Sequence, residues 1–193
     1  MSKAEEIETN GIVVIYRSKY GTTKRYAQWI AEELDAELVE VSDFSIFDLE
    51  RYSTVIFGSS VHVGKIRGVS FLKDNWAVLS KKMVIVFAST GASKVEPKQQ
   101  LVIAASLPAE IRQSIKYFPL PGAYSYDRLD FEDKLLMNFG PMRNLRFRAW
   151  LKRDKEAKEQ LTMLGKGQDW TDHKALTPII QCVHEKETPP FLE

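Results

Sequence analysis

The chain has 193 residues, of which 44% are hydrophobic and 27% charged, and its formal net charge is +1. That length and composition allow one domain with a real core, and the near-neutral balance excludes a global field that would favour nucleic acid or membrane. A single cysteine, Cys182, excludes an internal disulfide and any multi-cysteine zinc or iron–sulfur site, and no apolar run is long enough to span a bilayer.

Residues 1–10 are acidic and polar and read as a mobile lead-in, not a secretory signal, so a reducing cytoplasm is the expected setting. The first strand is Ile12 to Tyr16, almost continuously apolar, as in a strand buried on both faces. A helix follows over Thr22 to Leu34, with Tyr26, Ala27, Ile30 and Leu34 on one face. Glu37 to Val41 reads as the second strand, Ile46 to Leu49 as helical or irregular, and Thr54 to Gly58 as the third strand. A helix is expected over Ser70 to Leu79, a fourth strand over Met83 to Ala88, and a helix from Pro97 to Ala105. Pro108 begins a short helical turn, and Ile115 to Leu120 is the fifth strand. The last helix is expected near Asp172 to Val183, with Thr171 or Asp172 as its cap and Cys182 packed within it.

Strands alternating with helices indicate a parallel α/β sheet covered on both faces. Residues 121–170 are too long for an ordinary connection. They contain helical stretches at Phe131 to Phe139 and Met142 to Leu164 and read as an elaboration of a single domain, not a second one. Asp130, Glu132 and Asp133 fit charges at a helix start, and Trp76, Trp150 and Trp170 are expected to anchor packing. No His, Asp or Glu spacing supports a metal site.

Ligands of such sheets bind at the carboxyl ends of the strands. Three segments leave strands at that edge, and each combines hydroxyls with a glycine. They are Ser18-Lys19-Tyr20-Gly21-Thr22-Thr23, then Ser59-Ser60-Val61-His62-Val63-Gly64-Lys65, and Ser89-Thr90-Gly91-Ala92. The first lies between strand and helix. There unpaired backbone N–H groups and the helix dipole suit a phosphate, and Gly21 lets the backbone close around it. Alone, any of these segments is an ordinary turn; together they point to one extended phosphorylated ligand. The ends of the first and third strands carry no acidic pocket, which disfavours a phospho-acceptor domain of similar topology.

The first of these segments resembles the phosphate loop of the flavodoxin-like superfamily, hydroxyl-x-x-Gly-x-Thr, as Ser18, Gly21 and Thr23. Tyr20 stands where many members have threonine. The resemblance extends through residues 58–65, the late stretch from Leu107-Pro108 through Pro121-Gly122-Ala123-Tyr124-Ser125-Tyr126-Asp127-Arg128-Leu129, residues 131–137, and Asp169-Trp170-Thr171-Asp172. In these the chain is similar to the flavodoxin-domain family that includes menaquinone-dependent protoporphyrinogen oxidase. The resemblance implies a doubly wound five-stranded parallel sheet of order 2-1-3-4-5 and an FMN cofactor. Ser18, Lys19, Tyr20, Gly21, Thr22 and Thr23 would surround the phosphate. Ser59, Ser60, Val61, His62, Val63 and Gly64 would lie along one side of the ring, and Ser89, Thr90 and Gly91 near its pyrimidine edge. Flavodoxins often sandwich the ring between aromatic side chains. Here the second segment offers only His62, Val61 and Val63, which leaves Tyr124 or Tyr126 as candidates to cover it.

Two kinds of redox protein fit. One is an oxidoreductase doing two-electron chemistry on a small organic partner or a quinone. The other is a non-enzymatic electron carrier. Shuttle flavodoxins are typically acidic, whereas this chain is near neutral, with Lys65 and Arg67 just past the second segment. Positive charge stabilises an anionic reduced flavin, which favours the oxidoreductase.

The basic run Arg143, Arg146, Arg148, Lys152, Arg153, Lys155 and Lys158 is interleaved with Leu145, Phe147, Trp150 and Leu151. The plain reading is an amphipathic helix with a solvated face. The sharper one is docking on an acidic redox partner or, through Arg143, Arg146, Arg148, Lys152 and Arg153, on the inner face of an anionic membrane. No recognition motif for nucleic acid accompanies the charge.

Overall fold

The computed structural model describes residues 10–139, 141–151 and 153–187. The lead-in expected over residues 1–10 lies outside them apart from Asn10, whose side chain amide donates to the carbonyl of Leu34. The described residues form two compact units, one made of residues up to 121 together with those from 171 onward, the other of those between 122 and 170.

The first unit is built on strands that are apolar on both sides. All five residues of β1 (Ile12–Tyr16) are buried. The same holds for the first six residues of β3 (Thr54–His62) and the last six of β5 (Met83–Ser89). Strands buried on both faces need covering layers above and below, and parallel pairing with helical crossovers supplies them. With β2 (Glu37–Glu40) and β6 (Lys116–Leu120), the sheet order is β2-β1-β3-β5-β6, all parallel. In register, Val14 faces Ile56 and Ile56 faces Ile85. Alternate side chains enter opposite layers. Val13, Ile15, Val55, Phe57, Val84 and Val86 meet the side carrying Leu72, Leu79, Ile103 and Ile111. Val14, Ile56, Ile85 and Phe87 meet Tyr26, Ile30, Leu34, Leu176 and Ile179. The helices of the first layer are α2 (Val69–Asp74), α3 (Trp76–Leu79), α4 (Pro97–Ala104) and α5 (Ala109–Ser114). Those of the second are α1 (Thr22–Leu34) and α9 (Thr177–Glu187). Each fully buried aliphatic or Phe side chain contributes roughly 1.5–3 kcal/mol.

This is the expected flavodoxin-like sheet order. The addition is β4 (Lys65–Ile66), which pairs antiparallel to the end of β3. The helix expected over Ser70 to Leu79 is two helices, because the Asn75 side chain donates to the Phe71 carbonyl, 2.8 Å, and competes with the helical ladder. The last helix begins later than expected. Asp172 caps a 3-10 turn, His173–Leu176, through the Lys174 N–H, before α9 starts. The start of α4 carries a capping box between Glu96 and Gln99. Cys182 is half-buried against the α1–α9 layer, and burial pushes its thiol pKa up.

The second unit opens and closes on a short antiparallel ladder, β7 (Ala123–Tyr124) with β8 (Gln168–Asp169). Each strand has only two residues, too few to show the alternation from which strands are read, so sequence reasoning missed both. Between them lie α6 (Phe131–Phe139), α7 (Pro141–Leu151) and α8 (Lys155–Lys166). Asp130 caps the start of α6, accepting from the Asp133 N–H at 2.8 Å. The single helical stretch expected over Met142 to Leu164 is broken. Arg153 adopts φ +48°, and the Asp154 carboxylate accepts from the Ala157 N–H at 3.1 Å, starting a new helix. The same carboxylate accepts from Arg148 Nη2 at 2.6 Å.

A β-carbon on Gly58 would stand 2.2 Å from Phe87 Cζ, and the Phe87 ring is fully buried. Gly58→Ala should therefore cost about 1–3 kcal/mol of unfolding free energy in a denaturant titration. The Ala157 N–H and then the Arg148 guanidinium hold the Asp154 carboxyl below its usual range. A lowered folded-state pKa gives stability that is present above the unfolded value of about 3.9 and lost as pH falls through the folded value. Amide exchange in the first turn of α8 should quicken selectively on acidification in that range, and in Asp154→Asn it should already be quick at neutral pH.

Candidate functional site

The carboxyl ends of β1, β3 and β5 lie side by side, because those strands are parallel neighbours. About 4.8 Å separates adjacent strands, so the three ends span roughly 10 Å.

At the end of β1 the chain turns sharply into α1. The Arg17 N–H donates to Gly58 O, 2.8 Å, which fixes the exit of the strand against β3. Ser18 Oγ accepts from the Gly21 N–H at 3.1 Å. Gly21 has φ +91° and precedes the first helical residue, and no side chain caps the helix. The N–H groups of the first turn of α1 therefore face outward without a side-chain acceptor, the arrangement that binds anions. No atom lies within 4 Å of where a Gly21 β-carbon would be, so the space beside the turn is open. Lys19 Nζ sits 5.2 Å above the half-exposed Tyr20 ring. Thr22 is half-buried at the helix start. Thr23 is buried, and its hydroxyl lies 2.8 Å from that of Ser89, joining α1 to the end of β5.

The second segment is not the loop read from sequence. Strand β3 continues through Ser59, Ser60, Val61 and His62, then folds back on β4, with Val61 opposite Ile66 and His62 opposite Lys65. The turn is Val63-Gly64, and both residues have positive φ, 49° and 71°. Two left-handed residues match the twist of a hairpin. A β-branched residue is a poor choice for the first of them, which is why no hairpin signal was legible. Val63 projects from the tip 71% exposed. Ser59 is fully buried, and its hydroxyl donates to Arg67 O at 2.7 Å. The Arg67 N–H donates to Ser60 O, and the Ile66 N–H to Ser106 Oγ. The hairpin is thus held to the sheet and to the connection after α4.

In the third segment Ser89 is the last residue of β5. The Thr90 N–H and hydroxyl both donate to Leu120 O, at 3.0 and 3.3 Å. Gly91 is exposed. Between hairpin, third segment and α4 lies a cleft of about 470 Å³. Val61, Gly64, Thr90 and Gly91 line it. Val95, Lys98, Gln99, Val102 and Ile103 also line it and were not anticipated. They come from α4 and its approach, and only tertiary packing brings that helix to the strand ends. Lys98 is the only charged side chain among the lining residues. Among the described residues, no group of three or more His, Cys, Asp or Glu could hold a metal.

The site is therefore an uncapped helix start beside an apolar cleft, at one edge of a doubly wound sheet. That arrangement is the one found in doubly wound α/β proteins, whose ligands sit at the carboxyl ends of the strands. Residues 13–144, more than half of the chain, match the family model described as flavodoxin domain. The chain belongs to the flavodoxin-domain family. No curated protein matches the sequence. Solved structures that resemble it include a Trp repressor binding protein from Bacillus subtilis, at 20% identity and TM-score 0.44, covering 57% of this chain and 84% of the other. A flavodoxin from the domain Archaea matches at 19% identity and TM-score 0.43, covering 66% and 94%. An oxidised flavodoxin 2 from Bacillus cereus matches at 23% identity and TM-score 0.41, covering 66% and 93%.

Gly21→Val tests the helix start. With nothing within 4 Å, the variant should lose only about 1–2 kcal/mol of stability, from the left-handed backbone. Its branched side chain would fill the open space, so any phosphate-bearing ligand held at the first turn of α1 should bind at least tenfold more weakly, measured by fluorescence titration with FMN as the probe.

Proposed function

We propose that this protein binds FMN and uses it as an oxidoreductase, moving two electrons between the flavin and a small organic partner. The observation that carries this reading is the pairing of an uncapped α1 start with an apolar cleft about two strand spacings away on the same sheet edge. The residues present fit the cofactor. The first-turn N–H groups of α1, with Ser18 and Thr22, would hold the phosphate. Val61, Gly64, Thr90 and Gly91 would flank the ring, and the glycines leave its faces open. When bound, FMN supplies the hydride and electron chemistry. The chain supplies position, exclusion of water and charge.

Lys98 lines the cleft, and Lys65 and Arg67 belong to the hairpin beside it. A unit positive charge about 8 Å from a ring, at an effective dielectric near 20, stabilises an added electron by roughly 2 kcal/mol before screening. Solvent reduces this at exposed side chains. The net effect favours a less negative potential than an acidic shuttle has, and so favours chemistry on a quinone or a similar acceptor. Within the family, the resemblance of the late segments to menaquinone-dependent protoporphyrinogen oxidase makes a quinone the first acceptor to assay and a porphyrinogen the first donor.

The first experiment is the visible spectrum of the purified protein, followed by FMN titration of stripped protein. Tight uptake that is lost when Thr22 becomes leucine supports the site; a colourless protein that ignores FMN overturns it. Steady turnover with a soluble quinone supports the enzyme, whereas reduction only through a partner reductase would make the protein a carrier. Lys98→Met should lower the two-electron potential of the bound flavin by some tens of millivolts in a dye-coupled titration.

A further inference from the structure

The helices of the second unit leave unusual side chains in solvent. Along α6, Phe131, Leu135 and Phe139 recur at i, i+4 and i+8, so they form one stripe. Phe131 is 79% exposed and Phe139 66%. On α7, Met142 and Ala149 are buried, Leu145 is half-buried, and Arg148 is turned to Asp154. The other side of α7 carries Arg143, Arg146, Phe147, Trp150 and Leu151, at the spacing of one helical face. All five are exposed, Trp150 by 81%. Trp150 was expected to anchor packing, and the structure places it in solvent. α7 contains no acidic residue, and among the described residues no carboxylate pairs with Arg143 or Arg146. The basic run does not form one helix, since it divides at Arg153, and Lys152 lies outside the described residues.

We propose that this face of α7 docks on an anionic membrane surface, with the aromatic and leucine side chains at the level of the lipid headgroups and Arg143 and Arg146 on lipid phosphates. Large apolar side chains clustered in solvent mark an interaction site. Phe, Trp and Leu beside unpaired arginines on one helix face have the composition of an interfacial helix. Charge complementarity selects the occupant: the exposed face of α7 carries two arginines and no acidic residue, and anionic lipid satisfies both its charge and its apolar part. No helix among the described residues is long and apolar enough to cross a membrane, so the attachment is peripheral. The proposal does not depend on the flavin.

The test is sedimentation of the full-length protein with vesicles of phosphatidylcholine containing 30% phosphatidylglycerol, and with phosphatidylcholine alone. Binding should be at least tenfold tighter to the anionic vesicles and should weaken with salt. Arg143→Gln with Arg146→Gln should reduce it roughly thirtyfold. Phe147→Ser with Trp150→Ser should also cost tenfold or more, and unchanged circular dichroism and melting would show these exposed changes leave the fold intact. No sedimentation at low salt would overturn the proposal. So would binding indifferent to Phe147 and Trp150, or a concentration-dependent dimer abolished by the same substitutions, which would assign the face to a second copy. FMN titration of the same samples reads the cofactor separately, so failure of either reading leaves the other standing.

Discussion

The arrangement rests on the burial of β1, β3 and β5 on both faces. A strand with apolar side chains above and below cannot sit at a solvated surface, and covering it on both sides requires helical crossovers and hence parallel neighbours. Parallel neighbours end at the same edge. Three hydroxyl- and glycine-bearing segments, separated by up to about 70 residues in sequence, thereby meet within roughly 10 Å. Gly58 shows how tight this is: the Phe87 ring occupies the place of its missing side chain, so β3 and the second core layer close against each other.

Within that edge, hydroxyls divide between scaffold and open space. Thr23 and Ser89 bond to each other, Ser59 to the Arg67 carbonyl, and Thr90 to the Leu120 carbonyl. These bonds hold α1, the hairpin and β6 to the strand ends. What stays open is mostly backbone: the N–H groups at the start of α1, and glycines at the hairpin tip and beyond β5. A ligand would be held chiefly by main chain that the fold has already immobilised, which lowers the ordering cost of binding. Val63 is the exception to local ease. Its left-handed backbone is disfavoured for a β-branched residue, by about 1–3 kcal/mol, and the ladder to β4 maintains it.

The second unit follows a different logic. Its strands are minimal, and its helices are set by caps: Asp130 starts α6 and Asp154 starts α8. Asp154 also ends the run of uncompensated charge by drawing Arg148 inward. Arg143 and Arg146 stay on the outer face of α7 with Phe147 and Trp150, where mixed charge and aromatic surface is available to a partner or a membrane.

The alternation of strands and helices and the strand-to-helix turn at Ser18 to Thr23 were legible in the sequence from local information: continuous apolar runs, helical periodicity, and a glycine between strand and helix. The order of the central strands was not local information and came from the resemblance to the flavodoxin-like superfamily. The hairpin after His62 was not legible, because Val63 contradicts the residue preference of its own turn and only pairing with Ile66 enforces it. Nor was the contribution of α4 to the cleft, since Val95, Lys98 and Ile103 carry no motif and reach the strand ends through packing alone. The division of the basic run and the exposure of Trp150 were also decided by tertiary structure. Composition shows which charges and aromatics alternate, but the cap at Asp154 and the burial of Met142 and Ala149 determine which of them face water.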